Sequence, residues 1–201
     1  MRLKSYISEN RDLRIAETIS RECSDILSIS RHSPSKNTLV LFRGSKKPLL
    51  NGAQRYTPRQ DRRPTDMPTE IHEMYDKLFY EKFGWHARSE GVFACGGKRM
   101  SYGKNAFFFP ANGFKFVWSP KIFDLYTSMY RTEEHVEEGF DSYIDTDLER
   151  AIHSHKEIIF KCDFYWRVSM DDHLEIIHEI GKINKIELFA DYAPPTIGFK
   201  M

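Results

Sequence analysis

The sequence predicts an α+β fold, and three observations carry the prediction. Helical periodicity is strongest in the first part of the chain, short strand-like runs dominate from residue 91 onward, and the alternating strand–helix–strand order of a doubly wound sheet is absent. A length of 201 residues, 40% of them hydrophobic, with a mean hydropathy of -0.56, fits one soluble domain over residues 1–201 with a core of its own.

The elements follow from pattern and punctuation. Leu13, Ile15, Ala16, Ile19, Cys23, Ile26 and Leu27 recur at helical spacing and predict one amphipathic helix over residues 10–30, ended by a Ser-Pro loop. Leu39 to Phe42 predict a strand closed by Arg43 and Gly44. Residues 44–66 form a long polar connection holding Pro48, Gly52, Pro58 and Pro64. Thr65 or Asp66 caps the next helix, with Pro68 in its first turn, a stripe of Ile71, Met74, Tyr75, Leu78, Phe79 and Phe83, and Gly84 as its stop. Strands are expected at 91–95, 106–109 and 114–118, with turns at Gly96-Gly97 and Asn112-Gly113. Ser119-Pro120 opens a helix through Phe123, Leu125, Tyr126 and Met129. Residues 132–154 read as one acidic helix with Val136, Phe140, Ile144, Leu148 and Ile152 inward. Strands at 157–161 and 165–168, a short helix at 171–181 and a last strand at 185–190 complete the chain.

Net charge is +1, which excludes a global demand for nucleic acid or membrane, but the charge is uneven. Residues 31–63 carry nine Lys/Arg against one acid, Asp61, whereas residues 133–149 carry eight acids and no base. The polarity reads either as an anionic ligand bound at one end or as two solvated surfaces. Cys23, Cys95 and Cys162 are odd in number and lack ligand spacing, so neither a disulfide scaffold nor zinc is expected and a reducing, cytoplasmic compartment is. The first residues hold no apolar signal core, and no stretch approaches the ~18 apolar residues of a membrane span. The eight His, including His153, His155 and His173, form no metal pattern, and no GxSxG elbow, GxGxxG or Walker loop occurs.

Three segments remain. In "LFRGS", Arg43 can hold a phosphate bidentately and Gly44 admits close approach, or Arg43 is a strand-end charge. In "GVFACGGKRMSYG", a strand delivers Phe93 and a bend follows. Tyr102 beyond it can stack on a flat ring or pack in a hairpin, and Cys95 is either an exposed nucleophile or a buried thiol. In "KEIIFKC", Glu157 enters an apolar strand, where a carboxylate stabilises an oxocarbenium-like centre or merely caps beside Lys156.

In this order the three segments resemble the motifs of the ADP-ribosyltransferases, over roughly residues 37–168. The resemblance implies a split, half-barrel-like β-sheet with flanking helices and NAD as substrate, without a metal. It implies that Arg43 binds NAD with Gly44 and Ser45, that Phe93 and Tyr102 flank nicotinamide beside Ser101, and that Glu157 is the catalytic acid. The Glu-x-Glu pair of arginine-modifying members is absent, because His155 stands two residues before Glu157. The resemblance therefore leaves the macromolecular acceptor open between protein and nucleic acid. The stretch "FPANGFKFVWSPKIFDLY" is also similar in texture to bacteriophage proteins, implying the host cytoplasm. The competing expectation is a non-catalytic nucleic-acid-binding or structural phage accessory protein. Arg55, Arg59, Arg62 and Arg63 would contact phosphates in it, with Tyr56 and Trp85 interleaved for stacking.

Overall fold

The computed structural model describes residues 2–32, 40–45, 49, 52–63, 68–96, 104–125, 140–170 and 174–188. The described elements are six helices and one seven-stranded sheet in an α+β arrangement. In chain order they are α1 (Arg2–Glu22), α2 (Ser24–His32), β1 (Phe42–Ser45), β2 (Ala53–Tyr56), α3 (Thr69–Phe83), α4 (Ala87–Glu90), β3 (Val92–Cys95), β4 (Lys104–Pro110), β5 (Lys115–Trp118), α5 (Leu148–His153), β6 (Glu157–Lys161), β7 (Tyr165–Ser169) and α6 (Leu174–Asn184). The sheet order is β2-β7-β4-β1-β3-β6-β5, and every pair is antiparallel. No described helix is long and apolar enough to cross a membrane.

The sheet is tight in two parts and loose where they meet. β4 and β7 share five paired residues and β3 and β6 share four, but β1 meets β3 only at Phe42↔Cys95. Two apolar clusters pack on the sheet, and the larger one spans both parts. Ala16, Ile19, Leu27, Ile176, Ile177 and Ile180 of α1, α2 and α6 belong to a large cluster with Phe42, Phe107 and Val168. Tyr75 and Phe79 of α3 pack with Val117, Ile159, Phe140 and Tyr143 in a second. β6 therefore contributes to both clusters, with Ile158, Ile159 and Phe160 all fully buried, and this is why its sequence runs apolar without alternation.

Several sequence expectations are corrected. The helix expected over 10–30 is two helices, broken at Cys23. Asn112, in the turn between β4 and β5, docks into the break. Its Nδ2 donates to the Arg21 carbonyl (2.9 Å), its backbone N–H to that of Glu22 (2.8 Å), and its Oδ1 accepts from Asp25 N–H (3.0 Å) and Ser24 Oγ (3.2 Å). One residue thus serves the last two carbonyls of α1, one through its side chain and one through its backbone, and an early amide of α2. Leu13 and Met74, expected inward, are exposed. β1 starts three residues later than expected, so Arg43 lies inside the ladder, opposite Ala106, rather than at a strand end. The connection 44–66 contains the edge strand β2. The acidic stretch is not one helix: Ile144 bridges Trp118 through paired backbone bonds of 2.9 and 3.0 Å, and α5 starts only at Leu148. Residues 119–124, expected to be helical, are not. Residues 185–188 form no strand. Instead Lys185 takes a left-handed conformation (φ 55°) and Ile186 N–H returns to the Gly181 carbonyl (3.0 Å), closing α6.

Gly84 ends α3 as expected, with φ 74° and its N–H on the Tyr80 carbonyl. Its conformation rather than crowding demands glycine, since nothing lies within 4 Å of an added Cβ.

Candidate functional site

The three strands that carry the singled-out segments are consecutive in the sheet, β1-β3-β6. Cys95 pairs with Phe42 on one side and with Glu157 on the other, so one row crosses all three strands. Beyond that row β1 parts from β3, and Arg43 reaches into the parting. Its Nη1 donates to the Phe93 carbonyl (2.6 Å), a backbone acceptor that the broken β1–β3 ladder leaves to a side chain. The guanidinium also lies 5.7 Å from the centre of the Tyr165 ring.

Phe93 is the meeting point. The Arg62 guanidinium lies 4.0 Å above its ring, and that of Arg88 lies 5.0 Å from the same ring. These contacts change two assignments. The Phe93 ring, expected against nicotinamide, is covered by arginine. Arg62, expected on the surface with Arg55, Arg59 and Arg63, is half-buried, while those three are exposed. Burial, then the like charges of Arg43 and Arg88, lower Arg62 to about 10, and Glu157 opposes the shift. Arg62 Nη1 is buried and has no hydrogen-bond partner.

Glu157 lies at the start of β6 with its backbone N–H on the Phe123 carbonyl (3.0 Å). The residue is half-buried, but its Oε1 is buried and has no hydrogen-bond partner. Burial, aided by Asp124, pushes its carboxyl up to about 7 against the opposing effects of Arg88, Arg62 and the Leu125 N–H. No hydrogen bond or ion pair joins Arg43 to Glu157. Arg62 interacts electrostatically with both.

The scaffold behind Arg62 and Arg88 is a buried carboxylate that the sequence reading missed. Asp76, 7% exposed, sits on the inner face of α3 and accepts from the Arg88 N–H (2.8 Å), the Ser89 N–H (3.2 Å) and the Ser89 hydroxyl (2.5 Å). His86 Nδ1 is 3.3 Å from Oδ2, the oxygen that also accepts the Ser89 hydroxyl. The Ser89 carbonyl in turn accepts the Arg62 N–H (3.1 Å). Asp76 thus fixes α4, and α4 places one arginine and anchors the backbone of the other. The available signal was its spacing: Asp76 shares a helix face with His72 and Phe79. Asp76→Ala strands the buried Arg88 N–H and the part-buried Ser89 N–H, so urea denaturation is expected to show a loss of about 2–4 kcal/mol, with Asp76→Asn restoring part of it. An unchanged midpoint in the alanine variant would show that α4 does not depend on this carboxylate.

Other residues separate from the cluster. Gly44 is paired within β1 opposite Asn105, and Ser45 opposite Lys104. The side chain of Ser45 and all of Ser101 and Tyr102 lie outside the described residues. Cys95 is buried, with Sγ 3.9 Å from the Phe42 carbonyl, and does not present a nucleophile. Burial also pushes the Cys162 thiol up to about 12. Trp85 is 2% exposed, so it offers no ring to a base, and Tyr56 is stacked on Tyr165 (5.5 Å, 15°). Arg55, on edge strand β2, covers the Phe164 ring at 3.5 Å. His155 is exposed at the turn before β6 with φ 58°. Among the described residues no three His, Cys, Asp or Glu converge as a metal site.

Comparison with protein-family models, curated proteins and solved structures gives no match to this chain.

Proposed function

We propose that the chain is an NAD-dependent ADP-ribosyltransferase with a split, half-barrel-like sheet, moving ADP-ribose from NAD to a protein or nucleic-acid acceptor. The observation that carries the reading is the adjacency of β1, β3 and β6. They bring Arg43, Phe93 and Glu157 to one region beside the parting of the sheet. A buried carboxyl oxygen without a partner next to a cluster of guanidiniums fits a ligand that carries hydroxyl donors and phosphates.

In this reading the bond between nicotinamide and the ribose anomeric carbon breaks, and the electron pair leaves with nicotinamide. The Glu157 carboxylate stabilises the cation left on the sugar until an acceptor nucleophile attacks and sheds its proton. Arg43 holds the phosphate end across the parting. The exposed Arg55, Arg59 and Arg63 suit an anionic acceptor.

Catalysis requires ionised Glu157, whose carboxyl titrates near 7 in the free protein. With NAD and a cell extract as acceptor source, nicotinamide release is expected to fall about tenfold per pH unit below neutrality and to level off above it. No release at any pH would overturn the transferase reading. The exposed arginines also favour a second reading, a nucleic-acid-binding or structural phage accessory protein. Salt-sensitive oligonucleotide binding without NAD turnover would select it.

A further inference from the structure

We infer that Arg62 and Arg88, with Arg43, form a site for a diphosphate group, with Phe93 as its floor. Two guanidiniums lie 4.0 and 5.0 Å from the Phe93 ring centre, and the third donates to the Phe93 carbonyl. Like charges gathered this closely repel, and Arg43 and Arg88 both act against the charge on Arg62. Burying an arginine nitrogen without an acceptor is costly, and Arg62 Nη1 is in that state. An oxyanion on this cluster relieves both the repulsion and the missing acceptor. Three forked cations match the charge and the several oxygens of a diphosphate better than a single carboxylate does.

The position selects the source of the phosphates. Arg62 is half-buried and tied down by its N–H on the Ser89 carbonyl, so the cluster accepts a small group rather than a polymer backbone. A polymer finds the exposed Arg55, Arg59 and Arg63 first. Phe93 supports arginines instead of stacking a ligand ring, and α4, through Asp76, aligns the site from behind. The inference deepens the proposed transferase reading by assigning the diphosphate of NAD to these arginines, but the anion site does not require that NAD be cleaved.

Calorimetric titrations of the full chain with inorganic pyrophosphate, ADP-ribose, adenosine and a short single-stranded oligonucleotide test it. Pyrophosphate and ADP-ribose are expected to bind and to raise the melting temperature, and adenosine to do neither. Arg62→Gln is expected to weaken pyrophosphate at least about tenfold, and Arg62→Lys, which keeps the charge but loses the fork, to weaken it less. Arg63→Gln, on the exposed loop, is expected to leave pyrophosphate binding unchanged. Melting curves without ligand show whether each variant folds, and the lysine variant keeps the test decisive if the glutamine variant does not. Absence of pyrophosphate binding, or equal binding by wild type and both Arg62 variants, overturns the site. So does an oligonucleotide that displaces pyrophosphate while Arg63→Gln weakens both. Pyrophosphate binding that depends on Arg62, without nicotinamide release from NAD, leaves the site standing and removes the transferase reading. Release of nicotinamide unaffected by Arg62→Gln removes this site and leaves the transferase reading in place.

Discussion

Glu157→Gln is expected to lower nicotinamide release by at least about two orders of magnitude and, at the same time, to make the folded chain more stable above neutral pH. In the transferase reading proposed above, the first effect follows from removing the charge that would face the sugar cation. The second follows from burial. Glu157 has its carboxyl raised from 4.5 to about 7 in the folded state. A group raised in this way contributes stability that is complete below about pH 4.5 and is lost as pH rises through about 7. The folded wild type must then hold a charge in a place that disfavours it. Glutamine has nearly the same shape and no proton to lose. The stability advantage of the variant should therefore grow by on the order of 2–3 kcal/mol between pH 5 and pH 8.5, read by urea denaturation at both. A constant difference across that range would mean that the fold does not raise the Glu157 carboxyl above its ordinary value. Full activity in the variant would take Glu157 out of the reaction. An acid that destabilises its own fold at neutral pH is a signature of sites where function sets the charge.

Gly96→Ala is expected to be the most damaging small substitution in the described chain. An added Cβ would stand 1.8 Å from the Ile152 carbonyl oxygen, 2.6 Å from its carbon and 2.9 Å from its Cα. These are backbone atoms of α5, so no side-chain rotation relieves the contact. Either the end of β3 or α5 must move, and both belong to the large apolar cluster through Ala94 and Ile152. A loss of about 3 kcal/mol or more is expected, or about 6–12 °C in melting temperature for a chain of this size. Gly84→Ala is the comparison. It meets no atom within 4 Å but carries a positive φ of 74°, so its cost should stay near 1 kcal/mol. Equal melting temperatures for the two variants would show that the end of β3 and α5 do not approach as closely as the structure places them.

Gly96 also shows where the reading of the sequence stopped. A Gly-Gly pair after a strand reads as turn chemistry, yet Gly96 is not among the described glycines with positive φ, which are Gly52, Gly84 and Gly113. It is required because α5, more than fifty residues later in the chain, passes against it. No local pattern carries that information. Asn112 behaves in the same way: its turn was legible, but its role in splitting α1 from α2 arises only when the two are brought together.

The sequence by itself determined the α+β class, the apolar runs of β3, β6 and β7, the stop of α3 at Gly84 and the three segments singled out as chemical. All of these are written in periods and punctuation that span a few residues. The tertiary structure decided what those segments touch. Pairing of β3 with both β1 and β6 put Arg43, Phe93 and Glu157 in one region, although they lie far apart in the chain. It also drew in Arg62 and Arg88, one read as a surface cation and the other not singled out at all. Asp76 became the anchor of α4 because α3 turned it inward. The physical reason is range. Propensity and periodicity act over one or two turns, whereas burial, charge coupling and close backbone approach depend on neighbours that only the folded sheet supplies.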